Sequence, residues 1–193
     1  MIQERLSFTK TKILDYLIVI SPPPEIKSIV SELKRDVGKI LERSYKYKNS
    51  VPHLTVCKTV LTTDREERIV SEWNSMIEEQ GSFTLQVNEI KIFESSGTIY
   101  LETDFPDSLK EIQRKFYILN KELRISKKGY HLISKPHITI GSGLEKEELG
   151  LIKELVSGIN LNKEFEVQRL VGLRAELTDK SYQKSRIFNL KTK

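Results

Sequence analysis

Two pentapeptides, 84 residues apart, constrain this chain more than any other feature: Pro52-His53-Leu54-Thr55-Val56 and Pro136-His137-Ile138-Thr139-Ile140. Strand side chains alternate in direction, so in each segment the His and Thr share one face and the aliphatic residues the other. The aliphatic set anchors the strand; the polar set belongs on a solvated or shared face. Elements around the pentapeptides recur in the same order. Tyr16–Ile20 reads as a buried strand, and Pro22-Pro23-Pro24 ends it and opens a helix striped from Ile26 to Leu41. Val51–Val56 follows as a strand, Asp64 with Glu67 as the capping box of a second helix, and Phe83–Ile92 as a strand with a bulge. After the turn Ser95-Ser96-Gly97 the series restarts. It runs through strand Thr98–Thr103, a helix capped by Ser108 and Glu111, strand Lys135–Ile140, and a helix from Glu145 to Ser157 stopped by Gly158. A long strand, Phe165–Leu177, then turns through Asp179-Lys180-Ser181 into a last strand, Ser185–Leu190. Such ordered recurrence is an internal duplication. The expected fold is α+β, with two pseudo-symmetric lobes around a central cleft, each a mainly antiparallel sheet with helices on its outer face. The whole chain, 1–193, reads as one bilobal domain, with repeats near 14–93 and 98–177 and a final strand at 185–190.

Composition narrows the function classes. At 38% hydrophobic and 31% charged residues, the chain is not a wholesale disordered one. The apolar run Tyr16–Ile20 is far short of a membrane span, and Met1-Ile2-Gln3-Glu4-Arg5 leads into no secretory segment. Cys57 is the only cysteine, which excludes an intrachain disulfide and a cysteine zinc cluster; a cytoplasmic monomer is expected. The net charge is +5, but the middle third is acidic, which argues against a uniformly basic coat. Lys46, Lys48 and Lys58 bracket His53, while Lys127, Lys128 and Lys135 approach His137. These lysines read either as a local field for an anionic substrate or as solvated surface.

Two imidazoles and two hydroxyls converging across a groove suit a phosphodiester. Histidine exchanges a proton near neutrality, so one ring can deprotonate the attacking oxygen while the other protonates the leaving oxygen. Each threonine hydroxyl can donate to a non-bridging phosphate oxygen. Two histidines without neighbouring Cys, Asp or Glu in either motif are too few for a typical zinc site, so neither metal nor cofactor is expected. His131 has Tyr47 at its repeat-equivalent position and reads as structural or peripheral. Tyr130 and Tyr182 are candidates to stack on a base; Phe93 and Tyr100 read more readily as packing. Lys135 is a further substrate-binding candidate, sharing the face of His137 if Pro136 leaves the strand unkinked, whereas Lys58 falls on the opposite parity to His53. Cys57 has the parity of His53, with nothing to mark it as a nucleophile.

His-Leu-Thr-Val at 53–56 and His-Ile-Thr-Ile at 137–140 resemble the paired His-x-Thr-x motifs of the 2H phosphoesterase superfamily, and the order of elements resembles it from Tyr16 to Leu190. That superfamily includes 2′-5′ RNA ligase-like proteins and cyclic-nucleotide phosphodiesterases. The resemblance implies metal-independent phosphodiester chemistry on a 2′,3′-cyclic phosphate or a 2′-5′ linkage. The implied substrate is an RNA end, an oligonucleotide or a cyclic nucleotide, and the implied active set is His53, Thr55, His137 and Thr139. The alternatives are 2′-5′ RNA ligation and a non-catalytic RNA- or nucleotide-binding module. Gly141-Ser142-Gly143 stands where many ligase-like members carry an arginine, and it reads as either a phosphate approach or a strand-ending turn.

Overall fold

The computed structural model describes residues 11–126, 129–179 and 181–192; Lys127, Lys128 and Lys180 lie outside the described residues. The first half runs β1 (Ile13–Ile20), α1 (Pro24–Leu41), β2 (Leu54–Thr62), α2 (Glu66–Glu78) and β3 (Phe83–Phe93). The second runs β4 (Thr98–Thr103), α3 (Asp107–Glu122), β5 (Tyr130–Leu132), β6 (His137–Gly141), α4 (Lys146–Val156) and β7 (Asn160–Val167). β8 (Arg169–Glu176) and β9 (Gln183–Asn189) close the chain. Among the described residues the strands form one nine-stranded sheet in the order β7-β3-β4-β6-β2-β1-β8-β9, with β5 also paired to β2. The named strands pair antiparallel throughout. The fold is α+β, as the duplication predicts, and the two halves of the sheet meet where β2 pairs with β6 through Leu54 and Ile138. Among the described residues no helix is long and apolar enough to cross a membrane.

Local sequence explains most elements. Pro24 opens α1, whose stripe buries Ile26, Val30, Leu33 and Val37. Two expected caps are absent: Arg65 precedes α2 and Pro106 precedes α3, and neither helix has a side-chain cap. Pro106 ends the extended segment early, leaving Ser108 inside the first turn of α3. A capping box does form at α4, between Glu145 and Glu148. The expected long strand breaks at Gln168 because its two parts serve different neighbours, β7 pairing with β3 and β8 with β1. Gly141 is the last residue of β6. A Cβ there would meet the Tyr45 ring at 2.7 Å, so the missing side chain admits that tyrosine.

The repeats do not pack as separate units. α1, from the first half, packs against β6 of the second and against α4. α3, from the second half, packs against β2 of the first and against α2. Each pentapeptide strand is therefore backed by the helix that precedes the other.

A β-bulge sets the faces of β2. The register with β1 passes from Ile18↔Cys57 to Val19↔Thr55, leaving Val56 as the extra residue. Beyond it the alternation reverses: Cys57 and Thr59 are buried while Lys58 and Val60 are half-buried on the face of Thr55. This reverses the parity expected from sequence, moving Lys58 onto the face of the motif and Cys57 into the core. The Val56 carbonyl accepts a hydrogen bond from Gln113 Nε2 of α3 at 3.0 Å, and the same nitrogen donates to the Ile133 carbonyl at 3.1 Å. Gln113 is itself buried and so pins both the bulge and the segment leading to His137. Gln113→Leu keeps the volume but leaves two carbonyls without that donor. Urea denaturation should show a loss of about 2 kcal/mol; an unchanged midpoint would show that neither carbonyl depends on Gln113.

Candidate active site

Counting outwards from Leu54↔Ile138, the antiparallel register sets His53 across from Thr139 and Thr55 across from His137. All four side chains point away from the core that buries Leu54 and Ile138, and all four are half-buried. Diagonal neighbours in such a ladder lie about 7–8 Å apart, a span that one tetrahedral phosphate can bridge. The pair therefore shares one patch of the open face, as the symmetry argument requires.

The two histidines are held alike. His53 sits in the extended residue before β2, with its Nδ1 2.8 Å from the Val51 carbonyl oxygen. His137 opens β6, with its Nδ1 2.7 Å from the Lys135 carbonyl oxygen. A carbonyl only accepts, so Nδ1 carries the proton in each ring and Nε2 is left for the substrate. Among the described residues neither Thr55 nor Thr139 has a side-chain hydrogen bond, so both hydroxyls are free to donate.

The surroundings are not alike. Burial holds His53 below the ordinary histidine pKa, and the nearby cations of Lys34 and His137 act in the same direction. Lys34 is itself buried, which pushes its amine down to about 8. Its ammonium donates to the Tyr47 carbonyl at 2.9 Å, the Ser50 carbonyl at 2.6 Å and Ser50 Oγ at 2.8 Å. It thus braces the loop whose next carbonyl, that of Val51, orients His53. His137 lies instead among aromatic rings: Tyr100 at 5.2 Å and Phe93 at 5.5 Å between centroids, both edge to face. Tyr100 and Phe93 stack on each other at 4.0 Å. Glu102 faces His137 directly across the β4–β6 ladder and is paired with Lys91 at 2.7 Å.

The expected substrate residues separate. Lys135 is exposed beside the site, with its Nζ 5.8 Å from the Phe93 ring. Tyr182 reaches the open face through Asp15, donating to Oδ2 at 2.6 Å, where Lys58 Nζ also lies within 2.8 Å. Tyr130 does not reach it. It pairs with Thr59 on the core side, is buried, and meets the Tyr117 ring edge to face at 5.8 Å. Its neighbour His131, paired with Lys58, is exposed on the open side instead. Three residues that sequence reading passed over, Lys34, Gln113 and Glu102, shape the site; the signal for two of them was a polar residue one turn from apolar stripe positions, Lys34 after Val30 and Gln113 after Leu109. Cys57 is fully buried and its thiol is pushed up to about 11, so it is inert at neutral pH. Among the described residues no cluster of three His, Cys, Asp or Glu is placed to hold a metal.

NMR titration of the imidazole carbons should find His53 protonating below the ordinary value of about 6.5. His137→Gln, by removing a neighbouring cation, should raise it. A His53 that titrates at or above the ordinary value would contradict this placement.

Comparison with solved structures agrees with the fold. The apo structure of E. coli LigT matches with a TM-score of 0.69 at 12% identity, covering 93% of this chain and 99% of that one. TT0787 of Thermus thermophilus matches with a TM-score of 0.67 at 16% identity, covering 93% and 99%. No curated protein matches by sequence. The model of the 2′-5′ RNA ligase superfamily, which are 2H phosphoesterases, matches residues 22–179 and takes in both His-x-Thr motifs, and the chain belongs to that superfamily.

Proposed function

We propose that this chain is a metal-independent phosphodiesterase that opens 2′,3′-cyclic phosphates, or cleaves 2′-5′ linkages, of RNA or nucleotides. The observation that carries the reading is the pair of imidazoles on adjoining strands, each with Nδ1 tied to a carbonyl and Nε2 free, each opposite a free threonine hydroxyl. E. coli LigT has been crystallised with 3′-AMP and with ATP, which supports a nucleotide as the ligand class.

His53 is the base and His137 the acid. His53 is disposed to be neutral by its burial and by Lys34, which leaves His137 to supply the proton. His53 Nε2 removes a proton from water as the water oxygen attacks phosphorus. His137 Nε2 gives a proton to the ribose oxygen as its bond to phosphorus breaks, and a phosphomonoester results. Thr55 and Thr139 donate to the non-bridging oxygens, whose charge grows in the transition state. A ribose 5′-hydroxyl in place of water would make the same machinery a 2′-5′ ligase, the activity that the superfamily is named for.

The test is turnover of a 2′,3′-cyclic nucleotide in excess EDTA, which should persist; a loss restored by Mg²⁺, Mn²⁺ or Zn²⁺ would overturn the metal-free reading. His53→Ala and His137→Ala should each cost about 10²-fold or more. A nitrophenyl ester, whose leaving group needs little protonation, should rescue His137→Ala and not His53→Ala. The opposite pattern would reverse the roles.

The rate should follow a bell in pH, because one ring must be neutral and the other protonated. Its acid limb reports the base gaining a proton, so the depressed pKa of His53 sets that limb below about 6.5. Thr55→Val and Thr139→Val should each lower kcat by about tenfold or more, for loss of a donor to the developing charge, with circular dichroism unchanged. Full turnover in both would make the hydroxyls structural.

A further inference from the structure

Outside the four motif residues, the outer side of α1 and the loop before His53 enclose a pocket of about 520 Å³. Every charged residue that lines it is basic: Lys27, Lys34 and Arg35 from α1, and Lys48 from the loop. The chain is otherwise mixed in charge, and ion pairs satisfy many of its surface lysines and arginines. In this pocket they do not. The Lys34 ammonium spends its three hydrogens on the loop, yet leaves its charge in the floor. Lys27, Arg35 and Lys48 have no side-chain hydrogen bond or ion pair among the described residues. Lys48 lies back over α1 at Gly38, one turn beyond Lys34 and Arg35, where a Cβ would come within 3.1 Å of its Nζ.

Unneutralised cations gathered in a concave site raise its potential and favour an anion there. The pocket ends at the two residues that precede His53. Val51 and Pro52 line it, and the Val51 carbonyl holds His53. The neighbouring anion of a substrate whose scissile phosphate sits between His53 and His137 is another phosphate of the same molecule.

We propose that this pocket binds a second phosphate group of the substrate, so that the enzyme prefers a nucleotide chain, or a terminally phosphorylated one, to a cyclic mononucleotide. The inference rests on the phosphodiesterase reading for its first phosphate. The cations contribute charge-assisted contacts to phosphate oxygens, and arginine can supply two in parallel.

The test compares kcat/KM for a cyclic mononucleotide with that for a trinucleotide ending in a 2′,3′-cyclic phosphate, made with either a 5′-hydroxyl or a 5′-phosphate. Wild-type enzyme should favour the trinucleotide by about tenfold or more, mostly through KM, as one charge-assisted contact allows. The triple variant Lys27→Gln/Arg35→Gln/Lys48→Gln should bring that ratio close to unity. Its log–log salt dependence should flatten by about 0.7 for each phosphate no longer neutralised. Lys39→Gln, on the same helix outside the pocket, should keep the ratio. A preference already present with the 5′-hydroxyl assigns an internal phosphodiester; one that appears only with the 5′-phosphate assigns a terminal group. A wild-type ratio near unity, or a triple variant that retains the preference, overturns the proposal.

Binding of a fluorescently labelled trinucleotide, followed by anisotropy, separates the two readings. If no substrate is turned over but binding weakens about tenfold in the triple variant, the phosphodiesterase reading fails and the pocket stands. If binding is equal in both proteins, the pocket falls whatever the chemistry.

Discussion

The structure turns on one contact between strands, the pairing of Leu54 with Ile138 where β2 meets β6. Both residues are fully buried, so the junction is fixed by the core and not by the polar face above it. A shift of one residue would bury both histidines and expose both aliphatic residues, a cost that enforces the register. Once it is set, the imidazoles and hydroxyls of the two repeats have no choice but to adjoin. The loop before β2 is tied to the same place: Tyr45 packs on Gly141 and donates to the Lys34 carbonyl, while Lys46 bridges Ser142.

The pseudo-symmetry stops at the motif itself. Val19 stands opposite Thr55 in β1, while Tyr100 stands opposite Thr139 in β4. One histidine is thus flanked by an aliphatic neighbour and a buried lysine, the other by stacked aromatic rings. A duplicated scaffold supplies two equal rings; differences in the neighbouring strands make them chemically unequal. In the proposed reaction, that inequality is what divides the roles of acid and base between two copies of one motif.

The motif strands, the helix stripes and the bulge in β3 were legible in the sequence, because each depends on a local period. Lys58, Cys57 and Tyr130 were misplaced because their directions depend on nonlocal pairing. Val56 is accommodated as a bulge only once β1 and Gln113 are in position, and nothing local to 54–58 announces it. β5 is three residues long, too short for alternation to show which side of it is buried. The apolar stripe of α1 shows that the helix must be covered, but a stripe does not say which strand covers it. The break at Gln168 belongs to the same class, since either side of it reads as strand.

That exchange of helices bears on how such a chain can arise. A half-length protein holding β1, α1, β2, α2 and β3 alone would lack the β6 and α4 against which its α1 packs. Two copies meeting about a twofold axis would each lend a helix to the other and would bring two His-x-Thr strands together on the axis. The assembled dimer, and neither copy by itself, would own the reaction centre. Joining the copies through the β3–β4 hairpin turns an exchange between molecules into an internal one. The complete centre then exists at any dilution, and each copy of the motif is released to change its neighbours independently.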